Sequence, residues 1–326
     1  MAVNPPSRAN LPQVSVIIPI YNGEADLPDL LRCLQQQTYA EAEYLLIDNG
    51  SNDRTSQILA TLAPPFYGLS EAQIQSAYAA RNVGIGAAKG SILAFTDADC
   101  RPQSDWLAQL VQPFDQPSVG IVAGEIAALP GDSLLERYAD RHETLSQKHT
   151  LAHSFCAYGQ TANLAVRRSA FEQVGLFRPY LTTGGDADIC WRILRQTDWQ
   201  IKFAPTASVQ HRHRTTLAAL DSQWRRYGRS NRYLHDLHNI DLAKELTWQD
   251  VLYRGSRWLL KEVPLALMGK RNIGLIDTLV DTPLSLFCGR ARTLGQRNAQ
   301  IAEQMGVVVW LANELPNPPL TESLGR

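Results

Sequence analysis

"GSILAFTDADC" (residues 90–100) leads from a glycine through an apolar run into two carboxylates one residue apart. The run has the length and composition of a strand covered on both faces, so it predicts a buried strand in an α/β sheet. In a strand, residues i and i+2 project to the same side, so Asp97 and Asp99 would face a single site. Two carboxylates that close repel each other at neutral pH. A divalent cation with oxygen ligands would relieve the repulsion, and a nucleotide diphosphate could complete its coordination. The tripeptide alone says little: with 19 Asp in 326 residues about one D-x-D arises by chance, and "DAD" occurs twice. Its position at the end of a buried strand is what gives it weight.

Upstream, "VSVIIPI" (14–20) is a second such strand, ended by "YNG". Leu27, Leu30, Leu31 and Leu34 then recur at helical spacing. "EYLLIDNGSNDRT" supplies a further strand and turn, followed by the helix "TSQILATL", and "AYAARNVGIGAAKG" reads as a helix closed by Gly90. Strand–helix alternation of this kind predicts a Rossmann-like, mainly parallel sheet flanked by helices. Ligands gather at the carboxyl ends of strands in such sheets. Three ends carry polar groups here: Tyr21 and Asn22, Asp48 and Asn49, Asp97 and Asp99.

Downstream, "VGIVAGEI" is expected to be a strand, "SLLERYADRHETLSQKHTL" one amphipathic helix, and "WQIKFAP" and "ASVQH" two short strands. "GGDADICWRILRQT" places the second "DAD", Asp186 to Asp188, in the first turn of a helix. An acid there can cap the helix or complement its dipole. It can also act as a general base toward a nucleophilic hydroxyl. "HRH" (His211 to His213) follows a strand and could add a metal or diphosphate ligand, or be ordinary surface histidines. "GIGAAKG" precedes its strand, which is the wrong order for a dinucleotide fingerprint. His149 and His153 lack the intervening glutamate of a zinc helix.

Taken together, "VSVIIPIYNGE", "LLIDNGSNDRT", "AARNVGIGAAKGSILAFTDADC", "ANLAVRRSAFEQVGLF" and "GGDADICWR" resemble, in order and spacing, the family 2 glycosyltransferases of the GT-A fold, over about residues 13–215. The resemblance implies inverting transfer of a sugar from a nucleotide-sugar to an acceptor hydroxyl. It implies that Pro19, Tyr21 and Asn22 line the nucleoside pocket, that Asp48 and Asn49 read the base, and that Arg81 and Asp97 lie against the nucleotide. It further implies that Asp99 ligates Mg²⁺ or Mn²⁺ and that Asp186 is the base, with Asp188 in reserve; the "HRH" reading adds His211 as a candidate further metal ligand. Two departures stand out: Asn49 where the family often has an acid, and Gly185 in place of the glutamate that commonly precedes the base.

The net charge of -1 argues against nucleic acid as a partner. Charge is uneven, however: residues 1–210 hold 15 Lys+Arg against 21 Asp+Glu, and residues 211–302 hold 15 against 8. The basic part is helical in pattern and rich in Trp and Tyr, which predicts either helices packed on the catalytic domain or a peripheral membrane contact through 216–300, with a saccharide or lipid-linked acceptor. The expected division is a flexible 1–12, a catalytic 13–215, a helical C-terminal region 216–312 and a disordered tail 313–326. Five cysteines without a CxxC pair read as reduced thiols. With an N-terminus that lacks an apolar core, they give an expected cytoplasmic location, at the inner face of the membrane if the helices meet lipid. Two other classes compete: a nucleotidyltransferase, which would release pyrophosphate, and a non-catalytic nucleotide-sugar-binding protein.

Overall fold

A computed structural model describes residues 12–268 and 274–311, so the expectations for 1–11 and for the tail from 312 onward lie outside the described residues. Eight strands form one sheet: β1 (Val14–Ile20), β2 (Ala42–Asp48), β3 (Phe66–Ser70), β4 (Ile92–Thr96), β5 (Cys100–Pro102), β6 (Val119–Ala128), β7 (Asn163–Arg167) and β8 (Gln200–His211). Their spatial order is β3-β2-β1-β4-β7-β6-β8-β5. β1 pairs in parallel with β2 and β4, and β2 with β3; β7 runs antiparallel to both β4 and β6. The sheet is therefore mixed, and β6 and β8 run in the same sense as β1. That sense brings the ends of β1, β2, β4 and β8 to one edge.

β1 shows why the sheet is doubly covered. Val14, Val16, Ile18 and Ile20 pack into the core on one face, and Ile17 into the core on the other. Its one polar inward residue is matched: Ser15 Oγ donates to Glu43 Oε1 at 2.6 Å, and the Lys89 and Gly90 amides bind this same pair. One face is covered by α1 (Leu27–Gln35) and α4 (Trp106–Val111), the other by α3 (Ala77–Ala87), α7 (Arg168–Val174) and α8 (Gly185–Gln196). Between α1 and α3 in the chain lies the short α2 (Thr55–Leu59).

Two elements differ from expectation. The segment after Ser133 is not one helix but two, α5 (Leu134–Arg141), opened by a Ser133–Glu136 capping box, and α6 (Gln147–Leu151). Glu143, at φ 45°, breaks the continuity. The two short strands near residue 205 are one twelve-residue strand, β8, that bends through a register shift opposite Gly124 and Glu125 of β6.

The C-terminal region is helical: α9 (Leu217–His238), α10 (Trp248–Arg257), α11 (Val263–Leu267) and α12 (Leu275–Arg297). α9 and α12 pack against each other through glycines. A Cβ on Gly228 would strike the Arg292 carbonyl, and one on Gly295 the Arg225 carbonyl. No helix among the described residues is long and apolar enough to cross a membrane.

Candidate active site

A cavity of about 500 Å³ opens at the edge where the strands converge. Pro19, Tyr21 and Asn22 line it from the end of β1, Asn49 from β2, and Asp97 and Asp99 from β4. Two loops form its rim and brace each other. The Asn22 amide donates to Ser51 Oγ (2.9 Å), the Asn52 amide to Asn22 Oδ1 (2.8 Å) and the Gly23 amide to Thr55 Oγ1 (2.9 Å). Asn22 adopts φ 52°, a left-handed conformation that asparagine tolerates well.

Asp48 and Asn49 do not act as a pair. Asp48 Oδ1 accepts from the Ser51 amide at 3.0 Å, closing the turn, and the side chain does not line the cavity. Asn49 does line it, with its Nδ2 donating to the Glu71 and Ile74 carbonyls, both at 2.9 Å. Its carbonyl oxygen is thereby left for a ligand N–H.

Asp97 and Asp99 sit in the turn between β4 and β5, not in the strand itself, yet both line the cavity. Each lies near an arginine, which offsets their repulsion. Arg81, buried on α3, meets Asp97 at 2.7 Å. Its Nε is buried with no protein partner among the described residues. His211 Nε2 lies 3.3 Å from Asp99, and Arg214 lies 3.8 Å from it.

The ligand atoms of Asp99, Cys100 and His211 fall within 4.8 Å of one another. His211 Nδ1 is 2.8 Å from the Arg212 carbonyl, so Nδ1 donates there, and Nε2 is the ring nitrogen that points toward Asp99. Cys100 is different: burial pushes its thiol well above the ordinary range, and it donates to the Ala162 carbonyl. Asp99 and His211 thus fit a cation that takes few protein ligands and fills the rest of its shell with phosphate and water.

Asp186, in the first turn of α8, lines the same cavity. Thr161 holds it through its hydroxyl (3.0 Å) and its amide (3.3 Å). Burial raises its carboxyl above the usual range, Arg81 draws it back and Asp97 adds to the rise. The two glycines before it do not serve a ligand. Gly184 takes φ 81° where α9 crosses at Ser230, and a Cβ on Gly185 would meet the Tyr78 ring at 2.7 Å. That ring explains why this chain has glycine where a glutamate was expected.

Asp188 points the other way. It is fully buried and bound by Arg178 (3.0 Å), Arg192 (3.1 Å) and His238 (2.9 Å). Burial opposes its charge, but the His238 hydrogen bond and the two guanidiniums outweigh that and hold the carboxyl below its ordinary value. It does not line the cavity, so its geometry argues against a reserve base and for an ion cluster that ties α8 to α9.

Sequence reasoning did not anticipate the wall that α9 supplies. Gln223, Arg226 and Tyr227 of "QWRRY", with Arg214 just before the helix, line the cavity. Part of the basic charge after residue 210 therefore lines the site. Thr161 was missed too, since an isolated threonine at the start of a strand carries no sequence signal. His149 and His153 form no metal site: His149 is paired with Glu143, and His153 packs on Trp191.

A mixed sheet with an acidic cleft at one strand edge, closed by helices, is the GT-A fold. The same fold appears in the mannosyltransferase PcManGT from Pyrobaculum calidifontis, solved in complex with GDP-Man and Mn2+, at a TM-score of 0.57 and 18% identity over 89% of this chain and 87% of that one. Residues 15–175 match the family described as Glycosyl transferase family 2, and the chain is a member of that family. It is 37% identical to the glycosyltransferase AglE of Haloferax volcanii over 185 residues, 55% of this chain and 60% of AglE. It is 30% identical to the pre-mycofactocin glycosyltransferase of Mycobacterium tuberculosis over 225 residues, 65% of this chain and 45% of that protein. The chain thus spans between about half and three fifths of the length of these relatives.

Proposed function

We propose that this protein transfers a sugar from a nucleoside-diphosphate sugar to an acceptor hydroxyl, in one displacement that inverts the anomeric carbon. The observation that supports this reading is that Asp99, His211 and Asp186 line a single cavity, with His211 3.3 Å from Asp99. Pro19, Tyr21, Asn22 and Asn49 bind the nucleoside, with the free Asn49 carbonyl accepting from the base. Asp97, oriented by Arg81, faces the ribose or base. Asp99 and His211 hold Mg²⁺ or Mn²⁺, which when bound supplies Lewis-acid stabilisation of the leaving diphosphate. The GDP-Man and Mn2+ bound to the mannosyltransferase of the same fold support a donor and a metal of this kind.

Asp186 takes the proton from the acceptor hydroxyl as its oxygen bonds to the anomeric carbon. The bond from that carbon to the diphosphate oxygen breaks, and its electron pair leaves on the diphosphate. Arg81, Arg214 and Arg226 surround the region where this negative charge collects, which favours the transition state over the neutral acceptor. A raised carboxyl suits the base, since proton transfer is most effective when the base's pKa lies nearer the working pH. The acceptor is a saccharide or a lipid-linked molecule.

A panel of nucleotide-sugars tested by thermal shift, with and without Mn²⁺, identifies the donor. The expected result is one donor that stabilises only with metal and is turned over to a nucleoside diphosphate. Pyrophosphate release would support the nucleotidyltransferase class instead, and metal-dependent binding without turnover the non-catalytic one.

A further inference from the structure

α10, a π-helical turn (Trp258–Glu262) and α11 follow one another without interruption, making a continuous arm. One side of the arm rests on α12. Arg254 donates to Ser285 Oγ (2.6 Å), Trp258 Nε1 to the Leu279 carbonyl (3.1 Å), and Thr282 to the buried Glu262 (2.7 Å). Trp258 is thus an anchor to α12, and Trp224 packs beside the small core of Tyr138, Leu220 and Cys288; both are half-buried.

The outward side is apolar. Trp248 is 69% exposed, Leu252 61%, Leu260 76% and Leu267 67%. A single exposed leucine is ordinary, but a row of them along one arm marks a contact surface. Trp248, Val251, Leu252 and Leu259 stand at i, i+3, i+4 and i+11, which is one helix face. Leu275 and Ile276, in the first turn of α12, are exposed as well. Arg257 and Lys261 lie on the same arm, both exposed.

We infer that this arm lies in the plane of an anionic lipid bilayer, with its leucines and Trp248 in the interface and Arg257 and Lys261 at the headgroups. The charge pattern selects this occupant. In a symmetric contact between two copies, the same cation-bearing surface would meet itself, and like charges would oppose it. Arg257 is paired with the buried Glu262 at 2.8 Å, whereas Lys261 has no acidic partner among the described residues; a neutral apolar partner would leave it so, and anionic headgroups supply the counter-charge. Because α12 packs on α9, and α9 walls the cavity, docking of the arm would hold the cavity beside the bilayer. The inference does not rest on the glycosyl-transfer reading; combined with it, it favours a lipid-linked acceptor.

The test is co-sedimentation of the full chain with phosphatidylcholine vesicles, with and without phosphatidylglycerol, at low and high salt. Wild type is expected to bind the anionic vesicles and to be released by salt. The double variant Leu252→Glu/Leu260→Glu should lose about tenfold or more of this binding with its melting temperature unchanged, since both side chains are solvent-facing. Lys261→Glu should lose about tenfold on anionic vesicles only. Brominated lipid should quench part of the tryptophan fluorescence of wild type, and Trp248→Phe should abolish that part, a readout independent of the glutamate variants. Absence of vesicle binding, equal binding to neutral and anionic vesicles, or unchanged binding by Leu252→Glu/Leu260→Glu would each overturn the inference. So would a wild-type dimer that the same variant converts to a monomer without any lipid effect.

Discussion

The chain contains the tripeptide Asp-Ala-Asp twice, and the two copies behave differently. Asp97 and Asp99 lie in a turn, and both carboxylates reach the cavity. Asp186 and Asp188 lie in a helix, where residues two apart are about 200° apart around the axis, so one faces the cavity and the other the core. The first copy puts both charges at the cavity; the second splits them between cavity and core. The environments follow. Asp188 is met by two guanidiniums and an imidazole, and Asp186 by two hydrogen bonds from Thr161. One carboxyl is lowered and the other raised, although the helix dipole favours ionisation of both.

The largest effect is expected at the first copy. Asp99→Asn, or chelation by EDTA, should lower nucleoside-diphosphate release by about 10³-fold, since a catalytic metal contributes several kcal/mol to the transition state. The melting temperature should hardly move, because the pairs Asp99 makes with His211 and Arg214 are partly exposed. Full activity in EDTA would remove the metal from the account. At the second copy, Asp188→Asn should cost about 3–5 kcal/mol of stability, the usual result of stranding buried partner charges. Denaturant unfolding measures this; a variant as stable as wild type would mean the ion cluster does not hold α8 in place.

A smaller effect tests the seam that lets α9 wall the cavity. Gly228→Ala places a methyl against the Arg292 carbonyl and should cost about 1–3 kcal/mol by overpacking. Donor affinity should weaken with it, since Gly228 is next to Tyr227. The smallest effect is in pH dependence. Asp188, lowered in the folded state, contributes stability that is present above its unfolded value of about 3.9 and lost as pH falls through the folded one. Asp186 has the opposite sign: the folded state holds its proton more tightly, so its ionised form costs stability at neutral pH. Asp186→Asn should therefore melt no lower than wild type. The acid limb of turnover in wild type should lie above the ordinary aspartate range.

Much of this was legible in the sequence, because the strand ends are marked by a switch from apolar runs to polar pairs. The strands β1, β2 and β4 and the polar residues after them followed from such local signals, and Asp186 was singled out by its place in a helix's first turn and by the family resemblance. What was not legible depends on packing between distant segments. The break between α5 and α6 turns on Glu143 in a left-handed conformation, which no pattern announces. β7 has an apolar centre like β4 and β6, so nothing in its residues announces that it runs antiparallel to both. The role of Gly185 requires knowing that Tyr78 lies over it. In "QWRRY" the helix period was readable, but Arg226 and Tyr227 face the cavity only because Gly228 and Gly295 bring α9 and α12 together.

The central claim is that Asp186 is the base and Asp188 is not. Nucleoside-diphosphate release by Asp186→Asn, measured at saturating donor and Mn²⁺, tests it most directly. The account predicts release slowed by about 10²–10⁴-fold, the loss expected without general-base assistance, with donor affinity and melting temperature at least those of wild type. Near-normal release by Asp186→Asn, with a folded but inactive Asp188→Asn, would contradict it.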